Sequence, residues 1–209
     1  MIFDFDGTLA DTAACIVETV QETLRQLGLP EADPERVKGT IGLHLREVFR
    51  QGADVADPEM VARCDALYRK IFPDIASRTV SEFPGVAETL AELHRRGYTL
   101  TVATGRGHDS LHDMLRRLAI DQYFTTCVAC EDVANQKPNP DLAQLVLERT
   151  GTAPEDALVI GDTTFDILMG QAAGCHTAAV TYGNHTADQL AAVRPTHQID
   201  SFSELLGLL

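Results

Sequence analysis

Three short apolar runs in this chain each end directly in polar residues, and this pattern constrains the fold more than any other feature. Every run has the length and apolar content of a strand buried in a parallel sheet. Ligands of such sheets bind outside the carboxyl ends of the strands, so the polar residues are expected to meet at one edge. The runs span residues 2–5, 98–103 and 157–160, and the polar residues are Asp4 with Asp6, Thr104 with Arg106, and Asp162.

From residue 81 onward, helix patterns and strand patterns alternate along the chain. Such alternation predicts an α/β fold with a mostly parallel sheet covered by helices on both faces. Further strands are predicted over 125–129 and 176–180, and a last strand–helix pair near the C-terminus. Helices are predicted over 84–96, 110–118, 140–150 and 165–173, with a shorter one from about residue 186.

Residues 14–79 show helical periodicity and no strand signal. Two Asp-Pro pairs, at residues 33–34 and 57–58, are typical helix starts, and Pro73 is expected to end the helix that begins at the second pair. Because the segment interrupts the first strand–helix connection, we interpret it as an inserted domain. The predicted boundaries are 14–79 for an all-helical insert and 1–13 with 80–209 for the α/β core, with hinges near 10–14 and 78–83.

The charge of the chain narrows its possible partners. The 209 residues carry a formal net charge of −14 at pH 7, which disfavours nucleic acid and anionic membranes. No apolar stretch is long enough to span a membrane, and the N-terminus has no signal-peptide pattern. We therefore expect a cytoplasmic protein, and a monomer is slightly favoured over an oligomer.

The cysteines predict free thiols. Their number, five, is odd and they are scattered, as is typical of a reducing compartment. Cys127 and Cys130 form a C-x-x-C in a segment with the pattern of a strand, where residues three apart point to opposite faces. We interpret them as buried thiols on a strand rather than as a redox pair or part of a zinc site.

Four segments carry the chemistry, and their order is informative. Two aspartates two residues apart open the chain, a Thr-Gly-Arg triplet follows the next strand, a lysine precedes a proline-marked helix start, and a Gly-Asp pair is followed by another aspartate. In this order the chain resembles the haloacid dehalogenase-like hydrolase superfamily over essentially its whole length. The segments are Asp4-Phe5-Asp6, Thr104-Gly105-Arg106, Gln136-Lys137-Pro138, and Gly161-Asp162 with Asp166.

The resemblance implies a Rossmann-like three-layer α/β/α core with a parallel sheet. It also implies that residues 14–79 are a helical cap, which closes over the site and excludes water. The phosphoglycolate-phosphatase-like branch is the most similar. The dehalogenase branch is disfavoured because it lacks an acid at the position of Asp6, since a halide leaving group needs no proton.

Phosphate esters resist attack because their oxygens carry negative charge, so a catalyst must neutralise that charge and supply a nucleophile. Asp4 is the candidate nucleophile, which would form an aspartyl-phosphate. Asp6 is the candidate general acid and base, which would protonate the leaving oxygen and then activate water. Two further candidate catalytic residues are Thr104, which offers a hydroxyl, and Lys137, which can neutralise a phosphoryl oxygen and hold Asp4 in place. The backbone amides around Gly105 and Arg106, at a helix start, are candidates for binding the phosphate oxygens of the substrate.

The acidic residues predict a Mg²⁺ cofactor. Carboxylates that converge without a cation repel one another strongly, and Mg²⁺ is a hard cation that binds oxygen ligands and substrate phosphate. The candidate metal residues are Asp4, Asp6, Asp162 and Asp166. The resemblance implies that Asp4, the backbone carbonyl of Asp6, and Asp162 are the ligands, and that Asp166 orients Lys137.

Residues 38–46 join two helices of the insert and contain two glycines, so this loop can approach the site closely when the cap closes. Gly42 and Arg46 are the candidate substrate-binding residues of the loop. Lys38, His44 and Arg46 could meet a second anionic group of the substrate.

These observations favour a Mg²⁺-dependent phosphatase that acts on a small phosphorylated metabolite. A phosphoglycolate-like compound and a sugar phosphate both fit the pattern. Two alternatives stay open: a phosphosugar mutase, which keeps both acids of the first segment, and a phosphate-binding protein without catalytic activity.

Overall fold

The computed structural model describes residues 1–208, and a six-stranded sheet forms its centre. The strands of the chain are β1 (Ile2–Phe3), β2 (Ala10–Asp11), β3 (Ser81–Glu82), β4 (Thr101–Ala103), β5 (Thr126–Val128), β6 (Leu158–Gly161), β7 (His176–Val180) and β8 (His197–Ile199). The sheet has the order β5-β4-β1-β6-β7-β8, and every neighbouring pair in it is parallel. Strand β1 is therefore central, with Ile2 opposite both Thr101 and Val159.

Nine α-helices lie in the described part of the chain. They are α1 (Ala13–Gln26), α2 (Pro34–Lys38), α3 (Leu45–Glu47), α4 (Pro58–Thr79), α5 (Val86–Arg95), α6 (His108–Arg117), α7 (Asp141–Thr150), α8 (Thr164–Ala172) and α9 (Ala187–Ala192). Of these, α5 to α8 pack on the two faces of the sheet. Short 3₁₀ helices lie at Asp121–Tyr123, Cys130–Asp132, Pro154–Asp156 and Phe202–Gly207, and a π-helical turn spans Val48–Gly52. None of the helices in the described part of the chain combines the length and apolarity needed to cross a membrane.

The apolar core divides along the two faces of the sheet. Adjacent residues of a strand point to opposite faces, so Ile2 packs with α7 and α8, whereas Phe3 packs with α5 and α6. Val159 and Ile160 divide in the same way. This arrangement confirms the predicted three-layer α/β/α fold and holds the carboxyl ends of β1, β4 and β6 side by side.

Along the chain, helices α1 to α4 come between β2 and β3, two strands that pair with each other as a short antiparallel ribbon. In this ribbon, Ala10 of β2 pairs with Glu82 of β3, and Asp11 pairs with Ser81. The apolar residues of α1 and α4 form one continuous cluster with those on the Phe3 face of the sheet. The chain therefore leaves and re-enters the α/β layers at neighbouring positions.

Helix α4 continues through Pro73 to Thr79, so the expectation that Pro73 ends it is wrong. A proline inside a helix removes one backbone hydrogen bond and crowds the preceding turn. Phe72, Ile75 and Ala76 are buried on either side of it. Their packing outweighs the local cost of the proline.

The prediction that both cysteines of the C-x-x-C lie on a strand is also wrong in part. Cys127 lies on β5, but Cys130 belongs to the 3₁₀ helix that follows it. All five cysteines are free. Burial raises the pKa of Cys127 to about 11 and that of Cys130 to about 12, so neither thiol is activated as a nucleophile.

Candidate active site

A tight turn after β1 presents Asp4 and Asp6 at the edge of the sheet. The amide of Asp4 still donates to the carbonyl of Ile160 at 2.9 Å, as in the sheet, and the carbonyl of Phe5 then accepts the amides that close the turn. Gly7 has a φ of +79°, and a Cβ there would collide with the carboxylate of Asp162. Only glycine fits this position, because the turn must reverse directly against another acidic side chain.

Lys137 bridges two of the acidic residues. Its Nζ donates to Asp4 Oδ1 and to Asp166 Oδ1, each at 2.7 Å, and all three side chains are at most 1% exposed. Burial opposes the charge on Lys137, but the two carboxylates outweigh it and raise the pKa of the ammonium. The lysine is thus held as a cation in the interior.

Asp162 is fixed from several sides. Its Oδ1 accepts a hydrogen bond from Thr8 Oγ1 at 3.0 Å, and its Oδ2 accepts from the amide and Nδ2 of Asn184 at 2.7 and 2.9 Å. Burial, followed by the nearby charge of Asp166, nevertheless raises the pKa of Asp162 to about 7. The side chain is well held in place while its charge is poorly compensated.

The carboxylates of Asp4, Asp162 and Asp166 form a cluster in which one oxygen of each lies within 4.8 Å of the others. Asp4 Oδ2 is buried and has no hydrogen-bond partner. Burial raises the pKa of Asp4 well above its usual range, and the charges of Asp166 and Asp162 add to this effect against that of Lys137. An unpartnered buried oxygen in a cluster of three carboxylates, two of which share one lysine, fits a divalent cation such as Mg²⁺.

The side chain of Asp6 takes part in a different set of contacts. Arg106 Nε and Nη2 donate to its two oxygens at 2.7 and 2.8 Å, and Thr12 Oγ1 donates to Oδ1 at 2.6 Å. The guanidinium also lies over the ring of Phe72 in α4, 4.5 Å from its centroid, and donates from Nη1 to Ser110. Arg106 had been assigned only a backbone role from the sequence, so its side-chain contact with Asp6 was missed.

Thr104 and Gly105 lie beside this ion pair. Thr104 is buried, and its hydroxyl accepts a hydrogen bond from the amide of Arg106 at 3.2 Å. A Cβ on Gly105 would lie only 2.8 and 2.9 Å from the carbonyl oxygens of Leu43 and Gly42. The 38–46 loop of the insert therefore passes directly over Gly105, which brings Gly42 to the site.

Arg46 is not brought together with these residues. Its Nε donates to Asp65 at 3.2 Å and its side chain is 60% exposed. Arg69 of α4, which pairs with the other oxygen of Asp65 at 2.6 Å, lines the cavity beside the site instead. The sequence of the 38–46 loop does not predict a role for Arg69, because this residue belongs to a different element, α4.

Two residues that follow β7 also support the site, and no motif in the sequence singles them out. Asn184 holds Asp162, as described above. His185 is buried; its Nδ1 accepts from the amide of Thr164 at 3.0 Å, and its Nε2 lies 3.2 Å from the carbonyl oxygen of Gly39. His185 thus connects α8 of the core to the loop of the insert.

A cavity of about 320 Å³ opens next to Asp6, Gly105 and Arg106. Its walls come from the insert on one side and from α6 and the Gly105 turn on the other. The cavity is therefore positioned to hold the part of a substrate that lies beyond the acidic cluster.

Comparison with known proteins agrees with this geometry. Residues 1–180 match the family model described as haloacid dehalogenase-like hydrolase. The chain is 37% identical to "Probable phosphatase IndB" of Dickeya dadantii, covering 99% of this chain and 91% of that protein, and 33% identical to phosphoglycolate phosphatase of Salmonella typhi, covering 99% and 90%. A solved haloacid dehalogenase-like hydrolase from Bacteroides fragilis superposes with a TM-score of 0.91 at 29% identity, covering 98% of this chain and 97% of that one. With most of its length matched and the acidic cluster in place, the chain belongs to the haloacid dehalogenase-like hydrolase family.

Proposed function

We propose that this hydrolase is a Mg²⁺-dependent phosphatase that cleaves a small phosphomonoester through an aspartyl-phosphate on Asp4. The observation that carries the proposal is the Asp4 carboxylate, which has one oxygen bonded to Lys137 and the other without a partner inside the acidic cluster. Relatives named as phosphatases support the same reaction class.

In the first half-reaction, the Asp4 carboxylate attacks phosphorus while the bond from phosphorus to the leaving oxygen breaks. Lys137 orients Asp4, because its other contact, to Asp166, fixes its position. Its charge favours the ionised form of Asp4, against the effect of burial. Asp4, Asp162 and the backbone carbonyl of Asp6 would hold the Mg²⁺, with Asp166 behind them on Lys137. When bound, this ion offsets the negative charge of the carboxylates and of the phosphoryl oxygens.

Asp6 supplies a proton to the leaving oxygen and then takes one from the water that hydrolyses the aspartyl-phosphate, releasing phosphate and restoring Asp4. Its bonds to Arg106 and Thr12 set its carboxylate at the mouth of the cavity. In this proposal, the Thr104 hydroxyl and the amides near Gly105 donate hydrogen bonds to the phosphoryl oxygens.

We also propose that residues 14–79 act as a cap on the core formed by 1–13 and 80–209. The close approach of Gly42 to Gly105 and the contact of His185 with Gly39 support this role, because both join the insert to the edge that carries the acids. A closed cap excludes water from the reacting centre. For the substrate, a phosphoglycolate-like compound and a sugar phosphate are the two starting candidates.

The test is phosphate release from a panel of phosphomonoesters, with Mg²⁺ and with a chelator. We expect release that requires Mg²⁺ and that falls by about 10³-fold or more in Asp4→Asn, because the nucleophile is lost. Asp188→Asn is the matched control, since this exposed aspartate lies in α9 away from the cluster.

Retention of most activity by Asp4→Asn would refute the aspartyl-phosphate. Release that continues unchanged in the chelator would refute the metal. Conversion of one sugar phosphate into another without release would instead identify a mutase, and the absence of both activities in folded protein would favour a binding role.

A further inference from the structure

The cavity beside Asp6 is larger and less polar than a phosphoryl group alone requires. Its volume of about 320 Å³ falls at the lower end of the range for small-molecule sites. Small-molecule sites of this kind are mostly apolar with a few polar groups that orient the ligand. Most of its exposed surface is apolar, and half of the lining residues carry aliphatic or aromatic side chains, among them Ile16, Ile41, Leu45, Tyr68, Phe72 and Met114.

The cations that line the cavity already have carboxylate partners. Arg106 donates two hydrogen bonds to Asp6 and a third to Ser110. Arg69 pairs through Nε with Asp65 at 2.6 Å. Asp109 and Asp113 add negative charge to the same wall. The charged residues of the lining are thus two arginines and three aspartates, so a second anionic group on the substrate would meet a wall with a net negative charge.

Phe72 and Arg106 reinforce this arrangement. The ring of Phe72 lies over the guanidinium, which is only 9% exposed, so the apolar wall covers the charge that holds Asp6. An incoming carboxylate would therefore meet a guanidinium that is almost fully buried and already bound to both oxygens of Asp6. Desolvating a carboxylate without a new partner is costly, whereas an apolar group gains from leaving water.

We infer that the leaving group of the substrate is uncharged and carries an apolar part about the size of a ring, which fills this cavity. The inference rests on the proposed phosphatase function and narrows it: a phosphomonoester with an anionic leaving group, such as phosphoglycolate, is a poor substrate.

Three phosphomonoesters separate the effects of charge and apolar size. Ethyl phosphate is close to phosphoglycolate in size but lacks its carboxylate, and benzyl phosphate adds a ring. We expect kcat/KM to rise from phosphoglycolate to ethyl phosphate and again, by about tenfold or more, to benzyl phosphate.

A substitution in the wall tests the location. Leu45→Lys places a cation at a half-buried position of the cavity, where the stem of the lysine can lie along the wall. We expect it to lower kcat/KM for benzyl phosphate and to raise it for phosphoglycolate. The matched control is Leu168→Lys, at an exposed position of α8, which should leave the ratio of the two unchanged.

A preference for phosphoglycolate over ethyl phosphate, or no gain from the ring, would overturn the inference while leaving the phosphatase intact. The inference would also be overturned if the ratio of kcat/KM for benzyl phosphate to that for phosphoglycolate were equal in Leu45→Lys and Leu168→Lys, with thermal melting showing that both proteins are folded. Release from another phosphomonoester of the panel but from none of these three would overturn the inference alone, whereas no release from any compound of the panel or of these three with Mg²⁺ would refute the proposed function itself.

Discussion

Lys137 determines the charge balance of the acidic cluster. The chain has few lysines, and this one is almost completely buried between Asp4 and Asp166. A buried charge is tolerated only when it is paired and hydrogen-bonded, and here each partner supplies an oxygen at 2.7 Å. The same ammonium that orients the proposed nucleophile therefore also makes the burial of two carboxylates possible.

Removing this cation should destabilise the metal-free protein. We expect Lys137→Met to lower the free energy of unfolding by about 3–5 kcal/mol, because it leaves two buried carboxylates without their counterion. Urea unfolding in a chelator measures the change. Lys70→Met, at an exposed position of α4, serves as the control and should change stability by less than about 0.5 kcal/mol. A similarly small change for Lys137→Met would show that the ion pairs contribute little.

The sequence predicted which acidic residues meet, but not what Asp6 contacts. Asp4, Asp162 and Lys137 each follow or precede an element whose place in a parallel sheet can be anticipated, so their convergence was predictable. The pairing of Asp6 with Arg106 joins residues a hundred positions apart through side-chain rotamers. It also depends on Phe72, which a helix of the insert brings over the guanidinium, and no local pattern encodes that contact.

Among the elements, the loop that contains Gly42 depends most on a single neighbouring residue. It crosses Gly105 so closely that even one added carbon would meet two carbonyl oxygens below 3.0 Å. Any side chain at position 105 must therefore displace the loop or the turn beneath it.

We expect Gly105→Ala to lower kcat/KM by about tenfold or more, because a shift of the loop by a fraction of an ångström misplaces the substrate. Steady-state kinetics on a common phosphomonoester measures it. Gly39→Ala is the matched control in the same loop, since a Cβ there makes only ordinary contacts, the nearest at 3.5 Å. If both variants were equally active, the close approach would have no role in turnover.

Helix α4 shows where rules for local sequence succeed and where they fail. Its start was predictable because Asp57 caps it, accepting hydrogen bonds from the amides of Glu59 and Met60, and Pro58 follows at the first helical position. Its end was not, because burial of Phe72 and Ile75 carries the helix past Pro73. Tertiary packing overrides a helix-breaking residue when continuing the helix buries enough apolar surface.

Replacing this proline should stabilise the protein. We expect Pro73→Ala to raise the free energy of unfolding by about 1–3 kcal/mol, because it restores a backbone donor and removes a steric clash inside the helix. Pro58→Ala, in the first turn where proline is well tolerated, should give no such gain. Denaturant unfolding measures the stability of both variants. A loss of stability in Pro73→Ala would mean that the packing of the proline ring outweighs the missing hydrogen bond and the steric clash.

At the scale of the whole molecule, the acidic cluster makes stability depend on pH. The pKa of Asp162 is raised from its ordinary 3.8 to about 7, and that of Asp4 is raised as well. Between the ordinary value and about 7, the folded chain keeps a proton that the unfolded chain has released. Stability in this window therefore falls as pH rises.

We expect the melting temperature of the metal-free protein, measured in a chelator, to decrease from about pH 5 to about pH 8. Added Mg²⁺ should stabilise the protein more at the upper end of this range, because the ionised carboxylates bind it better. Asp162→Asn, which cannot ionise, should flatten the metal-free curve. A metal-free melting temperature that rises across this range would contradict the charge balance described for the cluster.

The β2–β3 ribbon has a consequence for how such proteins diversify. The two ends of the segment between β2 and β3 are paired with each other, with Ala10 opposite Glu82 and Asp11 opposite Ser81. Insertions or deletions between them leave the spacing of these four residues unchanged, and with it the register of β1 against β4 and β6. Over evolutionary time, the segment can accordingly be lengthened, shortened or exchanged while the carboxylates at the sheet edge keep their positions.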